Sequence, residues 1–287
     1  MTKRIFLDDS RNAEAILYYK TYKKGDDRDW VVFVHGAGGS SSIWFKQIKA
    51  YRDHFNVLFI DLRGHGNSRH MIQEYYREKY TFQLVSRDVL QVLDHLQIHK
   101  AHFIGVSLGT VIIRTIEEIA GERVISTIMC GAIMRLNIRS RVLVWLGHWF
   151  KRLVPFLWLY RLFAWIIQPR ANHAESRNLF VREAKKMARK EFLKWYRMTY
   201  EVNPLLRHFR EEESGNPTLY IMGGEDHMFL PVVQKLVEKH RNSELVVIEN
   251  CGHVCNIEQP NRFNEISIEF LKKHSRAAIA DSALTDS

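Results

Sequence analysis

The sequence predicts an α/β fold, and two observations carry the prediction. Short apolar runs with the length of buried strands alternate with segments of helical spacing along most of the chain. Polar, glycine-containing clusters stand directly behind those runs, around Gly36, Gly105, Gly223 and Gly252. A chain of 287 residues can bury one large core, and no internal repeat divides it.

Taken in order, Trp30-Val31-Val32-Phe33-Val34 reads as a strand and runs into His35-Gly36-Ala37-Gly38-Gly39. Asn56 to Ile60 repeats the pattern and runs into Asp61-Leu62-Arg63-Gly64-His65-Gly66-Asn67-Ser68. Ala101 to Ile104 leads into Gly105-Val106-Ser107-Leu108-Gly109, and Thr110 to Ile116 then takes up helical spacing. A G-x-S-x-G between a strand and a helix is a nucleophile elbow, a turn so tight that the serine is strained and its oxygen stands exposed above the sheet. The flanking glycines remove β-carbons that would collide there. Val124 to Cys130 is the next strand. Thr218 to Met222 reads as a buried strand broken by Gly223-Gly224-Glu225-Asp226-His227. Leu245 to Ile248 ends in Glu249-Asn250-Cys251-Gly252-His253, and a helix with Pro260 near its start follows.

Five of these segments together resemble the α/β-hydrolase family: HGAGG at 35–39, DLRGHGNS at 61–68, GVSLG at 105–109, GGEDH at 223–227 and CGHVCNIEQP at 251–260. They stand in order and at family-like separations over about residues 15 to 273. The resemblance implies a mostly parallel, roughly eight-stranded sheet with helices on both faces and a helical lid inserted before the strand at Thr218. It implies Ser107 as nucleophile, Asp226 as acid and His253 as base, in the chain order of that fold. It also implies an oxyanion hole formed by the backbone amides of Leu108 and Ala37. Glu225 competes with Asp226, which is preferred because the family places an aspartate three residues after the first glycine of this turn. His227 shares the acid's loop and cannot also be the base. Asp61 resembles the family's D-x-R-G-x-G turn, where its expected role is to hydrogen-bond the loop. His35 and His65 are expected to shape the oxyanion loop and a structural turn. Gly36, Trp44 and Trp145 are the candidate substrate contacts, and for Trp44 and its neighbour Ile43 helix-core packing is an equal alternative.

The chemistry follows from the residue types. Serine is a poor nucleophile at neutral pH and needs a base that removes its proton as it attacks. His253 would take that proton and return it to the leaving group, with Asp226 holding the imidazole in one tautomer. Water would then hydrolyse the acyl-enzyme, and no cofactor or metal is required. Cys251 and Cys255 flank His253, yet their spacing is not that of a zinc site and no fourth ligand is apparent.

Positive charge is concentrated in the inserted segment. Between Arg135 and Arg210 there are seventeen Lys and Arg against four acids, a net +13 in a chain of net +10, so the remainder sums to −3. Five of the seven tryptophans are there as well: Trp145, Trp149, Trp158, Trp165 and Trp195. The implied division is a core of residues 1–134 and 211–275, a basic aromatic lid of 135–210 and a tail of 276–287. Lys151, Arg152, Arg161 and Pro155 interrupt the apolar stretch from Arg141 to Gln168, which excludes an ordinary transmembrane span. One reading has the lid's aromatic face on the core and its basic face in solvent. The other adds contact with an anionic membrane surface or with anionic substrates. Nucleic-acid binding is not expected, since no recognition motif accompanies the charge. Acids near the N-terminus and an odd number of cysteines suggest a cytoplasmic protein with reduced thiols.

A serine at the elbow argues against the haloalkane dehalogenases and epoxide hydrolases, which carry an aspartate there. The expected function is hydrolysis of a carboxylic ester with a hydrophobic acyl group, such as a monoacylglycerol or another medium-chain ester. The same three residues also serve carbon–carbon bond hydrolysis of a diketone acid, lactone hydrolysis and perhydrolysis. A ligand receptor or signalling partner that retains them without turnover is the non-enzymatic alternative.

Overall fold

Strands β1 (Tyr19–Tyr22), β2 (Trp30–Val34), β3 (Asn56–Ile60), β4 (Ala101–Val106), β5 (Val124–Cys130), β6 (Thr218–Gly223) and β7 (Ser243–Ile248) form one sheet in a computed structural model that describes residues 16–70, 80–136, 155–200 and 202–275. Their spatial order is β1-β3-β2-β4-β5-β6-β7. β1 runs antiparallel to β3 and every other pairing is parallel. Seven strands thus lie among the described residues, beside the roughly eight that the resemblance implies.

The central strands are covered on both faces, which is why β2, β4 and β5 are buried almost throughout and carry apolar residues without strict alternation. Alternation along β2 sends Val32 and Val34 into one core layer and Val31 and Phe33 into the other. Helices α2 (Phe82–His95) and α3 (Leu108–Ala120) cover the first layer with Val85, Val89, Ile112 and Ile116. Helix α1 (Ile48–Arg52) and the last helix, Pro260–Lys273, cover the second with Tyr51, Phe263 and Phe270. Each such fully buried side chain contributes about 1.5–3 kcal/mol of burial free energy.

The connection from β5 to β6 carries helices α4 (Phe156–Ile167), α5 (Ala174–Ala184), α6 (Arg189–Tyr200) and α7 (Asn203–Glu211). Helices α8 (Leu230–Val237), α9 (Cys255–Glu258) and α10 (Pro260–Lys273) complete the order. α7 packs back onto the core, with Leu206 and Phe209 buried and the Arg114 guanidinium 5.0 Å over the Phe209 ring. The expected lid limit at residue 210 therefore falls inside a helix that belongs, by its contacts, with α3. The expected tail, 276–287, lies outside the described residues. Among the described residues no helix is long and apolar enough to cross a membrane.

Candidate active site

The carboxyl ends of β2, β4, β5, β6 and β7 open at one edge of the sheet, where ligands bind in sheets of this kind. Ser107 sits between β4 and α3 with φ 55° and ψ −121°, a left-handed conformation for a residue with a side chain. Such a conformation costs about 1–3 kcal/mol and persists only where surrounding structure holds it. Here its N–H donates to Cys130 O (3.0 Å), and its carbonyl accepts from the N–H and hydroxyl of Thr110 (3.0 and 2.6 Å). The glycines serve close approach. A β-carbon on Gly109 would strike the carbonyls of Val34 and His35, and one on Gly105 would strike Ile113 and the Gly109 backbone.

The loops after β6 and β7 lie against each other and against the loop after β5, where Gly131, at φ +52°, leaves no space between itself and the His253 carbonyl. The His253 imidazole and the Asp226 carboxylate are both buried. Asp226 Oδ2 accepts the His253 Nδ1–H at 2.7 Å, and Asp226 Oδ1 accepts from Phe229 N–H at 3.2 Å. An ionised carboxylate only accepts, so this contact puts a proton on Nδ1, and in a neutral imidazole Nε2 is then the acceptor. Ser107 Oγ is 2.9 Å from that nitrogen. The neighbouring Glu225 turns away from His253 to accept from Asn172 (2.9 Å), His173 (2.7 Å) and Arg170. Those contacts, that from Asn172 first, hold its carboxyl below the usual carboxylate range. His227 is exposed and its ring donates to the Glu225 carbonyl.

The turn after β2 is held by two imidazoles. His35 Nδ1 donates to Gly36 O (2.8 Å) and its Nε2 accepts from Leu62 N–H (3.0 Å). His65 Nδ1 donates to Arg63 O (3.1 Å) and its Nε2 accepts from Gly38 N–H (2.9 Å). Both rings are therefore neutral, and burial pushes both pKa values down, that of His65 further by the nearby His35. With Gly38 N–H taken by His65 and Gly39 N–H by Gly36 O (3.1 Å), the Ala37 amide has no partner among the described residues. Leu108 opens α3, so its N–H has no acceptor within the helix. Asp61 accepts from the backbone N–H groups of Ser41 (2.6 Å) and Asn67 (2.8 Å), which ties the loop after β3 to the one after β2.

Ser107 and His253 open into a cavity of about 190 Å³. Gly36, Ala37 and Leu108 line its floor, and α4, α5 and α6 supply apolar walls that include Phe163, Leu179, Phe180 and Phe192. Ile43 reaches the cavity but Trp44 does not. The Trp44 ring is fully buried 5.0 Å from Phe33, in the core layer below, which is the packing alternative. Trp145 lies outside the described residues. Trp195 was not among the candidates yet lines the cavity, with its Nε1–H on Arg63 O (3.1 Å) and its ring 4.7 Å from His65. His173, also unforeseen, is buried between the two loops that carry Asp226 and His253. Its Nε2 lies 2.7 Å from Glu225 and 3.8 Å from Glu258, which also accepts from the Gly252 N–H (2.6 Å) and the Ser176 hydroxyl (2.8 Å).

Comparison with known proteins agrees with this fold. Residues 31–266 match the model of the alpha/beta hydrolase family. The chain belongs to that family. RutD of Acinetobacter baylyi, which carries the provisional name carbamate hydrolase, is 26% identical over 274 residues, covering 88% of this chain and 97% of its own. Among solved structures, an enol-lactonase from Burkholderia xenovorans LB400 superposes with TM-score 0.74 at 21% identity, over 89% of this chain and 96% of that one. An esterase from Thermogutta terrifontis superposes with TM-score 0.74 at 20% identity, over 90% and 93%. These two similarities speak for the fold alone.

Proposed function

We propose that this alpha/beta hydrolase cleaves carboxylic esters with a hydrophobic acyl group through Ser107, His253 and Asp226. One observation carries the reading: the His253 imidazole bridges the strained hydroxyl and the buried carboxylate, at 2.9 and 2.7 Å, on the floor of an apolar cavity. His253 Nε2 accepts the Ser107 proton as Oγ attacks the acyl carbon and returns it to the departing alkoxide. Asp226 keeps Nδ1 protonated and stabilises the imidazolium. The Ala37 and Leu108 amides receive the oxyanion, each worth about 3 kcal/mol of barrier height. Water, deprotonated by the same imidazole, releases the acid. The walls favour acyl chains over charged substrates, since no Lys or Arg is among the described lining residues. A diketone acid would leave its carboxylates without a cation there.

The test is steady-state hydrolysis of p-nitrophenyl acetate, hexanoate and octanoate beside lactones and diketone acids. kcat/KM is expected to rise about tenfold or more from acetyl to octanoyl. Ser107→Ala should lower kcat by on the order of 10³-fold or more with its thermal midpoint kept. Labelling of Ser107 by a fluorophosphonate without sustained turnover would favour the receptor instead. Strict acetyl preference would overturn the acyl-pocket assignment.

A further inference from the structure

Helix α4 is apolar on two opposite faces. Tyr160, Phe163, Ala164 and Ile167, spaced i, i+3, i+4 and i+7, line the cavity above Ser107. Trp158, Leu162 and Trp165, spaced i, i+4 and i+7, point the other way and are 65%, 47% and 57% exposed. Among the described residues only Phe45 and Ile119 are other large apolar side chains so exposed, so the exposure is concentrated on this one helix. A helix apolar all round belongs in a core or against lipid. Here the core occupies one face and water the other.

What covers the outer face can be read from the charges set into it. Arg161 is exposed inside the stripe, three residues after Trp158 and four before Trp165. Arg177 of α5 lays its guanidinium 4.1 Å over the Trp165 ring while donating to Gln168 O (2.6 Å) and Arg170 O (3.1 Å). No Asp or Glu occurs between Pro155 and Ala174. An apolar patch meant for a second protein surface gains nothing from cations set along it that have no carboxylate partner among the described residues. A bilayer boundary uses both kinds of group, because indoles sit at headgroup level and arginines reach the phosphates beside them.

We propose that the outer face of α4 docks on bilayers containing anionic phospholipid, with Trp158, Leu162 and Trp165 at the headgroup–acyl boundary and Arg161 and Arg177 on lipid phosphates. The cavity then lies one helix away from the bilayer, on the apolar inner side of the same helix. That placement gives an acyl chain a dry path from membrane to Ser107. The path rests on the proposed ester hydrolysis, whereas the docking does not.

The experiment is co-sedimentation of the full chain with vesicles of phosphatidylcholine alone or mixed with phosphatidylglycerol, at low and at about 0.5 M salt, with tryptophan emission read in parallel. The parent is expected to bind the anionic vesicles at least tenfold more tightly, to lose most of that in high salt, and to shift its emission to the blue. The double variant Trp158→Ser/Trp165→Ser should lose at least tenfold on the anionic vesicles. Arg161→Glu, which leaves the apolar packing intact, should lose the anionic preference. All should hydrolyse a water-soluble ester at the parental rate. Ser107→Ala should bind vesicles like the parent, which separates failure of docking from failure of the catalytic assignment. Equal binding to both vesicle types, or parental binding by both stripe variants, overturns the proposal. So does a parental dimer in sedimentation velocity that Trp158→Ser/Trp165→Ser converts to a monomer, since a second copy would then cover the face.

Discussion

The strand-end loops and the inserted helices contribute to the same cavity in opposite ways. The loops present backbone amides, a strained serine and two buried polar side chains, held by hydrogen bonds and by glycines at close backbone approaches. The insert presents apolar walls whose positions depend on side-chain packing, and it carries the positive charge of the chain. The two meet through polar contacts that include Trp195 on Arg63, Ser40 on Glu183 (2.7 Å), Tyr80 on Glu191, Ser176 on Glu258 (2.8 Å), and His173, Asn172 and Arg170 on Glu225. Under the proposed function, the difference teaches that reactivity and acyl selectivity are separable, because they would be built on different covalent stretches that meet along one seam.

The largest effect that can break this comparison comes from a small enlargement in each region, by one methyl group in the loops and by two in the wall. Gly109→Ala places a β-carbon on the carbonyls of Val34 and His35 and should cost on the order of 3 kcal/mol or more of stability, with activity lost alongside. Ala164→Val, on the α4 wall, should leave the thermal midpoint within a few degrees while lowering octanoyl kcat/KM about fivefold relative to acetyl. Thermal melts and the two-ester ratio measure both. A folded, fully active Gly109→Ala, or an Ala164→Val that loses stability without changing chain-length preference, erases the distinction.

A smaller effect tests the seam from the side of the loops. Burial holds His35 and His65 below their ordinary pKa of 6.5 because each must be neutral to accept a backbone N–H. The unfolded chain therefore takes up protons that the folded one refuses. Stability contributed by these groups is complete above about pH 6.5 and is lost as pH falls toward their folded values. Each imidazole adds up to about 1.4 kcal/mol per pH unit to that slope. Melting between pH 8 and pH 5 should be flat at first and then fall. His65→Gln, whose amide oxygen can still accept from Gly38, should fall less steeply. An unchanged slope would remove His65 from the account.

The sheet and the site were not equally legible before the structure. β2, β3, β4 and β6 could be read directly because strands buried on both faces are rich in consecutive apolar residues, and the elbow because two glycines flank a serine at a strand–helix boundary. Asp226 and Glu225 are adjacent acids whose pattern is ambiguous. Only the turn after Gly223 aims one at His253 and the other at Asn172 and His173. Trp44 and Trp195 illustrate the harder problem. Both are fully buried tryptophans, yet one packs beneath the sheet edge on Phe33 and the other closes the cavity over His65. Nothing in local spacing records which long-range surface a large aromatic meets. The same is true of His173, whose partners are supplied by two loops far along the chain.

His173 gives the smallest and most specific expectation. Its ring is fully buried, with Nε2 2.7 Å from Glu225, the residue before Asp226, and a β-carbon on Gly252, the residue before His253, would meet it at 2.7 Å. It is thus a spacer between the loops that carry the proposed acid and base, although it touches neither. Removing it in His173→Ala leaves Glu225 its Asn172 and Arg170 contacts and Glu258 its Ser176 contact, so the fold should survive. What changes is the freedom of the two loops to drift relative to Ser107. Since about 1.4 kcal/mol corresponds to a factor of ten, loss of one buried charge-assisted hydrogen bond predicts a roughly tenfold fall in kcat. KM for the octanoyl ester should stay at the parental value, because the walls of α4 and α6 are untouched. His173→Asn, which can still donate to Glu225, should recover part of the rate. A fall in melting temperature with kcat unchanged would make the residue a packing element and nothing more, and the insert would then serve access and selectivity alone.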